Sequence, residues 1–136
     1  MIQEAYCSFD TCKRLKEKRF DVPCIAHWFV GKANNFSICS YPQNWNRIKS
    51  RFEWVSMPTL QMACRWLREA HNIHIEAFCP VVDSDAHISG VTYNVVISQL
   101  DKDCLAVDTD IENNEYKSYE DAIESGICWA LENLIK

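Results

Sequence analysis

The chain has 136 residues, eight of them cysteine but only three glycine and four proline, and carries a formal net charge of −5. That length suffices for one domain with its own core, without help from metals or disulfides. The scarcity of Gly and Pro excludes collagen-like and low-complexity architectures. The charge is split between the halves. Residues 1–68 hold 11 Lys/Arg and 5 Asp/Glu, a net of +6; residues 69–136 hold 3 and 14, a net of −11. Such polarity points either to an interaction face or to halves that attract each other inside one fold. The opening Met1–Cys7 segment has no basic or long apolar stretch, so no secretory leader is expected. No apolar run approaches the ~20 residues that span a bilayer. The expected location is cytoplasmic, with no membrane partner.

Ser8 to Arg19 reads as a short basic helix capped by Ser8, with Phe9, Cys12 and Leu15 on one side. Val22 to Val30 reads as a strand. One face carries Cys24, Ala26, Trp28 and Val30, the other Ile25, His27 and Phe29. The turn-rich Gly31–Asn35 leads to a return strand, Phe36 to Tyr41, and then to the irregular Pro42–Arg47. Phe52 to Val55 is a third short strand. Pro58 to Ala70 is the clearest helix: Pro58 suits its first turn, and Leu60, Ala63, Cys64, Leu67 and Ala70 form an apolar stripe widened by Trp66.

His71-Asn72 ends that helix. Strands follow at Ile73–Val82, Val91–Ser98 and Cys104–Asp108, with a polar break over Asp83–Gly90. Ser118, with Asp121 three residues on, caps the last helix, whose buried face is Ala122, Ile123, Ile127, Ala130, Leu131 and Leu134. Gly126 within it suits close packing against a sheet. The order is α-βββ-α-βββ-α, with a strand meander and a helix in each half. The class is α+β, a single domain over residues 1–136, mostly one antiparallel sheet with helices on one face. The similar order of the halves, and the texture shared by Cys64–Leu67 and Cys128–Leu131, also fits a faint internal repeat; helix packing explains it equally well.

The eight cysteines are spread almost evenly with no CxxC, and several lie in apolar runs, so they read as reduced, buried residues. His74 and Glu76 share a strand face near His71 and Cys79, but their spacing matches no zinc pattern. Asp108-x-Asp110-x-Glu112 resembles the start of a calcium loop but lacks the glycine and glutamate that complete one. A phosphate loop, GxGxxG, HExxH and GxSxG are all missing. A Cys/His pair formed in space stays open as an enzymatic reading, behind the others. No cofactor or metal is expected.

Two surfaces remain. Arg47, Lys49 and Arg51 interleave with Trp45 and Phe52, a composition that can hold single strands. The acidic second half would repel phosphates unless it faces away, so a nucleic-acid partner is not the expectation and a protein partner fits better. Tyr41, Trp45 and Arg47 have the composition of a partner contact, although Trp45 could equally tuck into the core. The leading expectation is a non-enzymatic domain that binds a protein partner or a second copy of itself, as a homodimer.

Phe20–Cys24, Pro42–Asn46, Ser56–Gln61, Trp66–Ile75 and Ser118–Ala122 together resemble a family of small uncharacterised proteins from gut Bacteroidales genomes, their phages and mobile elements. The resemblance spans most of the chain and implies no particular activity. The tail alone, two strands followed by Ser118-Tyr119-Glu120-Asp121-Ala122, is similar to HicB-like antitoxin domains. That likeness implies a nucleic-acid-linked regulator as the alternative to a protein-binding module.

Overall fold

The computed structural model describes residues 2–31, 33–79, 92–100, 106–109 and 115–136. Its elements are α1 (Phe9–Glu17), β1 (Cys24–Val30), β2 (Asn35–Gln43), β3 (Glu53–Ser56), α2 (Leu60–His71), β4 (Ile73–Phe78), β5 (Asn94–Leu100), β6 (Ala106–Thr109) and α3 (Tyr119–Asn133), with a 3-10 turn at Trp45–Arg47. The α+β class and the α-βββ-α-βββ-α order are as expected.

Among the described residues the strands do not join one sheet. They form two three-stranded antiparallel sheets, ordered β2-β1-β3 and β4-β5-β6. The chain leaves β3 to pair with the N-terminal segment: Cys7 N–H donates to Pro58 O and Leu60 N–H to Ala5 O, each at about 3 Å. Helix α2 then carries it to the second sheet. At the β3 edge, the Lys16 ammonium donates to Trp54 O at 2.8 Å, taking a carbonyl that another strand would need.

The repeat reading fails for a related reason. The first strand of its run is central in the first sheet, and the second strand of its run in the second. The two runs therefore share an order of elements but not a topology.

Each helix start has a side-chain acceptor for a first-turn N–H that the helix itself cannot satisfy. Ser8 Oγ accepts from Thr11 N at 3.4 Å, and Ser118 Oγ from Asp121 N at 3.1 Å. For α2 the cap is Thr59, accepting from Met62 N at 3.2 Å; Pro58 lies outside the helix instead of in its first turn. Asn72 ends α2 in the left-handed region (φ 56°), which its short polar side chain tolerates.

Helix α1 packs on β3 and α3, while α2 and α3 pack on the second sheet and on each other. The core runs continuously through Leu15, Phe20, Val55, Leu67, Ile73, Ile97, Ile127 and Leu131. Gly126 is where α3 meets the strands. A Cβ there would fall 2.8 Å from Ile75 Cγ2 and 2.9 Å from Val95 Cγ2, so only glycine permits the approach.

Cys7, Cys12, Cys24, Cys39, Cys64 and Cys128 are free thiols, and the first three and Cys64 are buried. Burial pushes Cys24 up to about 12 and Cys64 to about 11, so these thiols stay neutral and act as small hydrophobes.

Part of the charge split is used inside the fold. Arg14 pairs with Glu132 across α1 and α3. Glu124 accepts from Ser8 N at 2.6 Å and from Thr11 Oγ1 at 2.8 Å. The Lys18 ammonium closes on Ile135 O at 2.8 Å. His87, Cys104, most of the Asp101–Glu115 acidic run and the calcium-like spacing lie outside the described residues.

Candidate binding face of the first sheet

Antiparallel register decides which residues share a face, because directly opposed residues point the same way. Ala26 opposes Ile38, and Trp28 opposes both Phe36 and Val55. This is the inner face, with α1 against it: Phe9 meets Trp28 edge-on at 5.3 Å between ring centroids. His27 opposes Ser37 and Ser56, and Phe29 opposes Asn35 and Trp54. These residues form the outer face.

The outer face carries a run of aromatic rings. The Trp45–Arg47 turn folds back so that Trp45 stacks on His27 at 4.0 Å, with its Nε1 donating to Cys24 O at 2.7 Å. Trp54 lies 5.1 Å from His27 and 5.1 Å from Phe29, and Phe29 lies 5.1 Å from Phe52. The Arg51 guanidinium sits 4.9 Å over the Phe52 ring. Asparagines hold the turn in place. Asn44 Nδ2 donates to Asp21 O (3.1 Å), Asn46 Nδ2 to Phe20 O (3.0 Å), and Asn46 Oδ1 accepts from Ser56 N (2.9 Å). This is what the irregular Pro42–Arg47 stretch does: it pins a tryptophan over the middle of a sheet.

Of the three residues expected to contact a partner, Tyr41 and Arg47 are exposed. Trp45 is not. At 6% exposure, with both its ring and its N–H satisfied internally, it takes the core alternative, and this corrects its reading as an interface anchor. Sequence reasoning passed over Phe36 and Ile38, which are on the helix-facing side of β2 yet 57% exposed, since α1 packs chiefly on β3 and meets β1 through Phe9 and Trp28. A usable signal existed: Asn35–Gln43 contains no charged residue, unusual for a strand left at an edge.

β2 also departs from ideal pairing. Between Ala26 and Cys24 the partner advances from Ile38 to Gln43, so residues 39–42 bulge away from β1. Tyr41 rides on this bulge at 59% exposure. Beside it an apolar cleft of about 270 Å³ is lined by Tyr6, Cys24, Ile25, Pro42, Met57 and Met62.

A second cleft, of about 310 Å³, lies between the end of α1 and the Trp45–Arg47 turn. Its lining is cationic: Lys16, Arg19 and Arg47, with Asp21 as the opposing acid and Phe20 and Asn46 between them. Arg19 adopts φ 68°, the left-handed conformation that closes α1: Phe20 N–H returns to Leu15 O at 2.9 Å and Arg19 N–H to Lys16 O at 3.0 Å. Glycine normally occupies this position, since a Cβ there costs about 1 kcal/mol.

One Cys/His pair does form. Cys39 Sγ lies 3.8 Å from His27 Nδ1. Burial lowers the His27 pKa, and Trp45 covers its ring. A neutral imidazole beneath a tryptophan is placed for packing rather than for meeting a substrate. His74 and Glu76 share a face of β4 as expected, but among the described residues no group of three or more His, Cys, Asp or Glu side chains could hold a metal ion. His71 packs edge-on against Trp66 at 4.7 Å, and burial lowers its pKa too. Among the described residues no helix is long and apolar enough to cross a membrane. No family model, curated protein or solved structure matches this chain.

Proposed function

We propose that this domain is a non-enzymatic interaction module that works by protein–protein contact, and that its first partner is a second copy of the chain joined along β2. The observation that supports this reading is the β2 edge: nine residues without a charge, presenting Phe36, Ile38 and Tyr41 more than half exposed. An edge strand offers a row of unpaired N–H and C=O groups, and monomers usually protect it with charges, proline or a bulge. Here Pro42 and the bulge protect only the C-terminal part, leaving Asn35–Ile38 open.

A two-fold axis at Ser37 sets Phe36 of one copy against Ile38 of the other. This buries four apolar side chains on one face and brings no like charges of β2 together. Phe36, Ile38 and Tyr41 expose roughly 300 Å² per copy, against the ~800 Å² per partner of a standard interface. The association therefore belongs with weak, transient contacts, which protein at about 10 µM to about 1 mM brackets.

Sedimentation velocity from about 10 µM to about 1 mM tests the reading across that range. Wild type should shift from monomer to dimer, and Ile38→Lys should stay monomeric with unchanged thermal stability. A wild type that remains monomeric throughout, or a dimer indifferent to Ile38→Lys, removes the β2 reading.

A further inference from the structure

The basic cleft and the aromatic ribbon meet at the Trp45–Arg47 turn, and neither is used by pairing along β2. Arg47 lines the cleft, Trp45 of the same turn contacts Trp54 (5.8 Å between centroids), and the rings continue through Phe29 to Phe52 and Arg51. The ribbon's outer members are accessible: Phe29 and Trp54 are half-buried and Phe52 is 45% exposed. Among the described residues Arg19, Arg47, Lys49 and Arg51 make no ion pair, whereas Arg14, Lys16 and Arg65 do.

We propose that this surface binds a single-stranded nucleic acid, with phosphates at Arg19, Arg47, Lys49 and Arg51 and bases against the exposed rings of Phe52, Trp54 and Phe29. The complementarity has two parts. Unpaired cations suit a polyanion of any kind. Half-exposed rings interleaved with them suit the flat faces of unpaired bases, and stacking needs no particular base sequence. An acidic peptide would meet the cations but leave the rings without a matching face.

Two further observations favour this occupant. The acids of α3 do not oppose it. The acids of α3 lie beyond α1, on the inner side of the first sheet, and Glu132 and Glu124 are occupied with α1. The outer face is thus shielded from them by a sheet and a helix. Arg19, in turn, holds a backbone conformation that glycine would adopt at less cost, and it contributes a cation to the cleft.

This last point gives a test that separates binding from folding. Fluorescence anisotropy of a labelled single-stranded oligonucleotide of about a dozen nucleotides is read against wild type, Arg19→Gly and Phe52→Ala. Wild type should bind, with affinity falling steeply as salt rises. Its log–log slope should be about −0.7 for each phosphate neutralised. Arg19→Gly should melt at a higher temperature than wild type yet bind several-fold more weakly, with the slope smaller by about 0.7. Phe52→Ala, an exposed change, should keep its melting temperature and lose about tenfold in affinity with the slope unchanged.

Three results overturn the proposal. One is no binding at about 20 mM salt. Another is binding indifferent to both substitutions. The third is equal binding of a polyglutamate of matched charge, which would assign the surface to acidic protein segments. None of these bears on β2, so the self-association reading stands or falls separately.

Discussion

The two sheets have the same size and antiparallel pairing but treat their apolar residues differently. The second sheet spends its central apolar residues on packing. Ile73, Ile75, Val95 and Ile97 are all buried against α2 and α3, and Gly126 removes a side chain so that α3 can come closer. Among the described residues the first sheet is packed by α1 on its inner face and by the Trp45–Arg47 turn on its outer face. It leaves Ile25, Phe36, Ile38, Tyr41 and Phe52 substantially exposed. Scattered exposed hydrophobics need no explanation, but Phe36 and Ile38 together on an uncharged edge, and rings beside unpaired cations on the opposite face, do. The helices bury the central apolar residues of one sheet, and the other keeps apolar residues exposed on an edge and a face.

If that contrast is right, the single most damaging change to the first sheet is at the residue that covers its outer face. Trp45→Ala removes the stack on His27 and leaves Cys24 O without its donor. The expected loss is about 3–5 kcal/mol, measured by chemical denaturation. A loss below about 1 kcal/mol would mean that Trp45 is not part of the core.

For the second sheet the corresponding probe is Gly126→Ala. The added methyl meets Ile75 and Val95 below contact distance. Overpacking costs about 1–3 kcal/mol, and alanine's better helix propensity returns up to about 1. A net destabilisation is expected. A more stable variant would show that α3 can slide on the sheet, and that this sheet is looser than described.

Much of this architecture was legible beforehand. The element order, the caps at Ser8 and Ser118, the two faces of β1 and the close packing at Gly126 all follow from local periodicity and chemistry, and the structure contains each. What periodicity could not supply was pairing. Nothing in the run from Val22 to Val55 says that β3 returns to the free side of β1, which puts β1 at the centre and β2 at an edge. Trp45 was open between two roles because a loop tryptophan carries no period. Its fate depends on whether His27, 18 positions earlier, presents a ring beneath it. Arg19 passed as one more cation of α1, since only a backbone angle separates a helical arginine from a left-handed one.

Alkaline pH probes one buried thiol beside each sheet without mutation. Among the described residues Cys24 is buried in β1 and Cys64 in α2, against the second sheet, whereas Cys39, Cys79 and Cys128 are at least partly exposed. A thiol whose folded pKa is raised holds its proton while the unfolded chain releases it. Stability from such a group is therefore fully present below about pH 9 and declines above it. With Cys24 raised to about 12 and Cys64 to about 11, the decline approaches 1.4 kcal/mol per pH unit for each. The acid side has the opposite sign. His27 and His71 have lowered values, so stability falls as pH drops below about 6.5. Melting temperature across pH 5–10, compared with Cys24→Ala, measures both limbs, and the alkaline limb should flatten in the variant.

The smallest effect on stability should come from the open surface itself. Tyr41→Ser changes an exposed side chain on a bulge that makes little of the core, so stability should move by no more than about 0.5 kcal/mol. The same substitution deletes part of the apolar area offered along β2, and dimerisation should weaken measurably in sedimentation. The two readouts are expected to part company at Tyr41 and to move together at Trp45. A Tyr41→Ser variant that lost stability in step with association would place the bulge inside the fold's own packing. The first sheet would then spend its apolar residues on packing as the centre of the second does, and the contrast between them would disappear.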